Sequence, residues 1–422
     1  MRRIYRVRGY GGYYSRIRRR TRGFLFATFQ KTMSTRSFVM WVLLIVLIGL
    51  VIVVTHTSFR DRLGHYYNST KSYFISNNVK PTGKPLGVAL GDTATFMNSQ
   101  ALQQEFSNIS KIGATWIRVD FSWADVQPNG PGQYDWSGLD RVVAMANRYH
   151  LKVLGTVAYT PSWAALPVCN TSQDCVPAND SQFAAYAAAV ASRYAPQGVH
   201  TWEIWNEPNL EGFWQPTPSP RAYTQLLAVT YTAIKRVDKQ ALVMSGGLGA
   251  LDSSPLSINQ VAFLSGMYAY GARPYFNAVA FHPYSYPALP TYYADWNSWS
   301  MMDALPDSIR SVMIANGDGN KQIWVTEYGA PTGGPGALAT TSNSNFAQHP
   351  DHVSDALQAQ MASIAFDQYD HDAWMGGFFW YTYRDAGTNP STNQNFYGLY
   401  NANGSAKPSL QVFENAAEGD NK

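Results

Sequence analysis

From Leu86 onward, short β-rich apolar runs alternate with longer stretches in which apolar residues recur every third or fourth position. The runs fall at 85–90, 115–121, 151–159, 200–206, 241–247, 276–283, 322–328 and 375–383, and each reads as a buried strand. Between them, 138–149, 181–195, 221–237, 258–270, 301–315 and 353–370 have helical periodicity, seen best in Ser181–Ala195 (SQFAAYAAAVASRYA). Strictly alternating strands and helices predict a parallel sheet, and eight such units predict a closed (β/α)₈ TIM barrel over residues 85–417. The open doubly wound sheet is the rival; no Gly-rich phosphate loop follows the first run, which counts against a nucleotide-binding version.

A different pattern precedes the barrel. Phe38–Val54 is 17 residues without a charge or proline, inside an uncharged stretch from 37 to 59. That length suits a single transmembrane anchor; a cleaved signal peptide, leaving a secreted protein, is the alternative. Residues 1–36 hold ten Arg, one Lys and no acid, so the net charge of +4 belongs to this tail and the remainder carries −7. A basic tail beside an apolar span is expected on the cytoplasmic side, with 60–84 as a juxtamembrane linker and the barrel outside the cell membrane. The tail's position argues for membrane topology rather than nucleic-acid binding. The two cysteines, Cys169 and Cys175, share one polar loop. Outside the cell a local disulfide is the natural reading and two free thiols the alternative; no further Cys or His accompanies them as a metal set.

In a barrel of this kind the active site lies where the strands run out. Polar and aromatic residues gather there: Asp120 and Trp123, Tyr159 and Trp163, Asn206 and Glu207, His282 and Tyr284, Glu327, then Trp380, Tyr383 and Arg384. Two stretches stand out, Trp202-Glu203-Ile204-Trp205-Asn206-Glu207-Pro208 and Trp324-Val325-Thr326-Glu327-Tyr328-Gly329. Each ends a strand on a glutamate, and glycosidic bond cleavage needs two carboxylates. Successive strand residues face opposite ways, so Asn206 and Glu207 can share the pocket only if the strand is distorted at 206–208. Glu203 reads as an interior carboxylate paired with a basic or tyrosine neighbour.

Together the two motifs resemble the clan of retaining glycoside hydrolases built on the (β/α)₈ barrel, families 39 and 5 most of all, over residues 86 to about 415. The resemblance implies Glu207 as acid/base, Glu327 as nucleophile, Asn206 on the sugar 2-hydroxyl, Tyr284 and Arg118 around the nucleophile, His282 lining the pocket and Trp380 as a platform under the reacting sugar. Trp123, Trp163, Trp214 and Tyr159 are further candidates for sugar contact, with packing as the competing role. No cofactor or metal is called for. The expected partner is a polysaccharide or oligosaccharide, with β-linked extracellular or cell-envelope polysaccharide the expected substrate. A transglycosylase using the same residues and a non-catalytic carbohydrate-binding barrel are the alternatives.

Overall fold

The computed structural model describes residues 83–169, 172–250, 254–340 and 350–419. The expected tail, anchor and nearly all of the linker lie outside the described residues, and among those described no helix is long and apolar enough to cross a membrane.

Eight parallel strands close into a barrel: β1 Leu86–Gly91, β2 Trp116–Ser122, β3 Lys152–Ala158, β4 Thr201–Asn206, β5 Leu242–Gly247, β6 Ala278–Phe281, β7 Gln322–Tyr328 and β8 Met375–Tyr381. Each pairs with the next and β8 returns to β1. The principal helices are α1 Ser99–Lys111, α2 Ser137–Arg148, α3 Asp180–Tyr194, α4 Pro220–Val237, α5 Gln260–Ala269, α6 Ile309–Ala315, α7 Asp355–His371 and α8 Pro408–Gly419. Their starts are written locally. Asn98, Ser219 and Ser354 each accept a backbone N–H of the first turn of α1, α4 and α7, which satisfies donors that the helix leaves open. Pro220 occupies the first turn of α4, where it forfeits no hydrogen bond.

One helix departs from expectation. α6 begins at Ile309 rather than 301, because Ser308 and Ser311 form a reciprocal capping box just after Pro306. The upstream Met301 and Met302 are buried as anchors of an irregular segment, so their apolar character reports packing and not a helix.

The strands divide the core in two. Outward residues such as Ile117, Phe121, Trp202, Val325, Phe378 and Trp380 pack against the helices. A smaller inner cluster of Ala89, Leu154, Met244, Ala278, Ala280, Trp324 and Phe379 fills the barrel. Toward the C-terminal ends this apolar filling gives way to Arg118, Glu203, Asn206, His282 and Thr326, all buried. That polar layer is the floor of the site.

Candidate active site

Two strand distortions build the carboxylate pair. In β4, Trp205 has a left-handed φ of 76° and Glu207 a φ of 45°, a conformation that costs a bulky residue of order 1–3 kcal/mol. The strand loses its alternation as a result. Trp205 packs outward against Phe183 and Trp214, while Asn206 and Glu207 both reach groups inside the barrel mouth. The Glu207 amide donates to the Gly247 carbonyl at 3.0 Å, so the distortion leaves no buried donor unpaired.

In β7 the ladder to β8 passes from Val325↔Phe378 to Tyr328↔Trp380, three residues against two. This bulge turns both Thr326 and Glu327 toward the interior, where each meets an inward-facing partner, while Tyr328 packs outward against Trp380 and Phe378. Bulges re-aim side chains at barrel rims in this way.

Arg118 lies beneath the pair, 1% exposed. Its Nε and Nη2 donate to the two Glu203 oxygens at 2.9 and 3.0 Å, Nη2 also to Asn206 Oδ1 at 2.8 Å, and Nη1 to Glu327 Oε1 at 2.6 Å. Glu203 thus has the basic neighbour expected of it, and its Oε1 also accepts the Gly247 amide at 2.8 Å. The Tyr284 hydroxyl donates to Glu327 Oε2 at 2.8 Å. His282 is wholly buried; its Nε2 lies 3.0 Å from Thr326 Oγ1 and its Nδ1 2.9 Å from Glu207 Oε1. The same Nδ1 is 3.7 Å from Glu327 Oε2.

The two glutamates are driven apart electrostatically. Burial raises Glu207 above the ordinary carboxyl range, and the Glu327 charge adds to this, against the opposing pull of His282. Burial acts on Glu327 too, but His282, Arg118 and the Tyr284 hydroxyl outweigh it and hold that carboxyl below its usual value. His282 is desolvated, yet the flanking Glu327 and Glu207 raise it. Two neighbouring carboxyls with opposed shifts can divide acid and base work between them.

The expected aromatic contacts are redistributed. Trp380 is fully buried on the helix side against Phe366 and Tyr328, with its indole N–H on the Tyr397 carbonyl. It cannot be a sugar platform, because strand parity points it outward. The next residue, Tyr381, faces in and packs edge-on against Tyr284 and Tyr397. Trp123 and Trp214 are core residues, buried against Tyr186 and Phe183 and against Trp205 and Tyr223 respectively. Trp163 is half-buried against Trp123. Tyr159 does sit by the site: burial, then the charge of Asp120, raise its hydroxyl.

Sequence reasoning missed Thr326, Tyr381 and the glycines after β5. A Cβ on Gly247 would collide with His282 Nε2 and stand 2.8 Å from Glu203 Oε1, and one on Gly249 would stand 2.7 Å from Glu207 Cδ. The run Gly246-Gly247-Leu248-Gly249 was the available signal. Cys169 and Cys175 form a disulfide, in a loop whose Val176 amide donates to Gln215 and whose Asp174 carbonyl accepts from it, at 3.1 and 3.0 Å. The loop after β3 is thereby joined to the loop after β4 that follows Glu207.

A family profile for cellulase (glycosyl hydrolase family 5) matches residues 79–363. The chain belongs to glycosyl hydrolase family 5. Family 5 members are glycosidases, and the solved structures similar to this one carry the same barrel. One is a family 39 glycoside hydrolase from Bacteroides cellulosilyticus, 23% identical with a TM-score of 0.60 over 80% of this chain and 64% of its own longer one. A second is a monomeric β-xylosidase from Caulobacter crescentus, 18% identical, TM-score 0.55, over 79% and 69% of the two chains. A third is a family 5 variant from Streptomyces cattleya bound to Manβ1-4GlcNAc, 16% identical, TM-score 0.56, over 80% of each chain. No curated protein matches.

Proposed function

We propose that this family 5 chain is a retaining glycosidase that cleaves β-linked polysaccharide or oligosaccharide by double displacement, with Glu207 as acid/base and Glu327 as nucleophile. The observation that carries the reading is the position of His282. A single ring nitrogen 2.9 Å from Glu207 Oε1 and 3.7 Å from Glu327 Oε2 bounds the gap between those oxygens at roughly 6.6 Å. That bound on the facing oxygens puts the two carboxylates within reach of one anomeric centre and is compatible with the ~5–5.5 Å of a retaining pair.

In the first step Glu207 gives its proton to the glycosidic oxygen while Glu327 attacks the anomeric carbon, and the leaving sugar departs as an alcohol. Arg118 and Tyr284 keep Glu327 ionised until the bond forms. Esterification then removes the Glu327 charge. One of the influences holding Glu207 protonated goes with it, and Glu207 can take the proton of the incoming water. Asn206, fixed by Arg118, presents its amide nitrogen to a sugar hydroxyl. Tyr381 is the half-buried aromatic at the mouth. The β-linkage rests on the β-xylosidase and β1-4 disaccharide relatives.

Location at the outer face of a cell membrane is part of the same proposal. It rests on the apolar run at 37–59 and the basic residues before it. Protease accessibility of the barrel on intact cells checks it; protection of the barrel would refute it.

The test of the chemistry is hydrolysis of a panel of β-linked polysaccharides by the full chain beside Glu207→Gln and Glu327→Gln. Release of sugar with retained anomeric configuration, abolished in Glu327→Gln, is expected. Inverted product, or cleavage persisting in both variants, would sink the assignment.

A further inference from the structure

At the rim formed by β1 and β2, a cavity of about 260 Å³ is lined by Thr95, Phe96, Asp120, Asp125 and Arg141 among others. Asp120 is 7% exposed, and its Oδ1 is buried without a hydrogen-bond partner among the described residues. The nearby Arg118 does not serve it, because its three nitrogens are directed to Glu203, Asn206 and Glu327. A buried acceptor left open is costly, and more so when charged. Such a group at a cavity wall is suited to a ligand's donor.

The position indicates which part of a substrate arrives there. Glu207 and the His282 that holds it stand on β4 and β6, the arc that meets the leaving group. Asp120 stands on β2, opposite β6 in the strand order and within electrostatic reach of Glu327, on the side that this reading gives to the glycone. Phe96, 68% exposed at the same cavity, offers an apolar ring to a sugar face.

Charge indicates the chemical class. Burial and then the charges of Glu327 and Asp92 lift Asp120 to about 7 against the pull of Arg118. Burial and then Asp125 raise Asp92 in turn. Arg141, the one cation lining this cavity against Asp120, Asp125 and Asp135, donates through its Nη atoms to the carbonyls of Ser137, Thr95 and Met97, and its Nε is buried without a partner among the described residues. A uronic acid would add another carboxylate to this group. A neutral hydroxyl would supply one donor and no charge. An ammonium supplies three donors and offsets the excess of acids over the single Arg141.

We propose that this cavity is a glycone subsite in which Asp120 receives a sugar bearing a free amino group. The inference rests on the retaining-glycosidase reading for its orientation, but binding can be measured without bond cleavage. The full chain in detergent solution would be titrated calorimetrically with the methyl β-glycosides of glucosamine, glucose and glucuronic acid at neutral pH. Glucosamine is expected to bind at least tenfold more tightly than glucose, with glucuronate weakest. Asp120→Asn should erase the ranking, and Asp125→Asn at the exposed rim should narrow it while leaving the melting temperature unchanged. Equal affinities in the unaltered chain, or a ranking that survives Asp120→Asn, would overturn the proposal. Should Asp120→Asn fail to fold, an unchanged ranking in Asp125→Asn overturns it. Failure of hydrolysis with this ranking intact would count against the catalytic assignment alone.

Discussion

At the scale of single residues, function here is set by small differences of environment between like groups. Glu203, Glu207 and Glu327 are all buried or nearly so, yet Glu203 is locked by Nε and Nη2 of Arg118, Glu207 is raised and Glu327 lowered. The rate is therefore expected to follow a bell-shaped pH profile. The ascending limb, set by ionisation of Glu327, should lie below the ordinary glutamate range and the descending limb, set by Glu207, above it. Removing the His282 contact by His282→Ala should move both limbs, since the imidazole acts on both carboxyls. Initial rates across pH 3–9 for both proteins check this, and coincident profiles would refute it. Loss of the acid in Glu207→Gln should lower kcat by about 10²–10⁴, and less for a substrate whose leaving group needs no protonation. The aromatic pair Trp380 and Tyr381 separates packing from binding. Trp380→Ala should cost about 3–5 kcal/mol of stability. Tyr381→Ala should spare the melting temperature and raise KM.

At the scale of elements, the decisive features are the places where regular structure fails. Left-handed backbone in β4 and a bulge in β7 each turn two successive residues into the mouth, so one strand delivers Asn206 with Glu207 and the other Thr326 with Glu327. The first distortion was legible because Asn206-Glu207-Pro208 demands it of any strand that uses both side chains. The second was not, since Thr326-Glu327-Tyr328 satisfies ordinary alternation on paper and the extra residue is visible only against β8. β5 contributes by having no side chain where His282 and Glu203 meet. Gly247→Ala is expected to destabilise the fold by about 1–3 kcal/mol through overpacking and to lower activity out of proportion, because the displaced groups hold the carboxylate pair. Melting and kinetics on one preparation would test this, and normal kcat would refute it. Breaking the buried pair by Glu203→Gln should cost about 3–5 kcal/mol of stability.

At the scale of the whole molecule, burial of acids makes stability depend on pH. Asp120 and Asp372 each titrate at about 7 in the folded chain against an ordinary 3.8, chiefly through burial. A carboxyl raised on folding holds its proton more tightly in the native state. Its contribution is therefore complete below the ordinary value and is lost as pH rises through about 7. Each can weigh up to roughly 4 kcal/mol across that window. Glu327, lowered on folding, acts oppositely, stabilising above its ordinary value and ceasing to do so as pH falls through its folded one. The melting temperature is expected to decline from about pH 5 to 8, and Asp372→Asn, remote from the mouth, should flatten part of that decline. A temperature rising over the window would contradict both assignments.

Sequence alone determined the barrel and the two glutamates that end its fourth and seventh strands at one rim. Each of these follows from periodicity and chain order, which are properties of neighbours along the chain: buried strands alternating with amphipathic helices close in only a few ways, and the strand ends then share one face. Tertiary structure decided which way Trp380 and Tyr381 point, which base serves Glu203, how one histidine comes to stand between two carboxyls, and where Asp120 is left without a partner. Those outcomes depend on register between strands far apart in sequence. A shift of one residue reverses every side chain beyond it, and no local pattern records that shift.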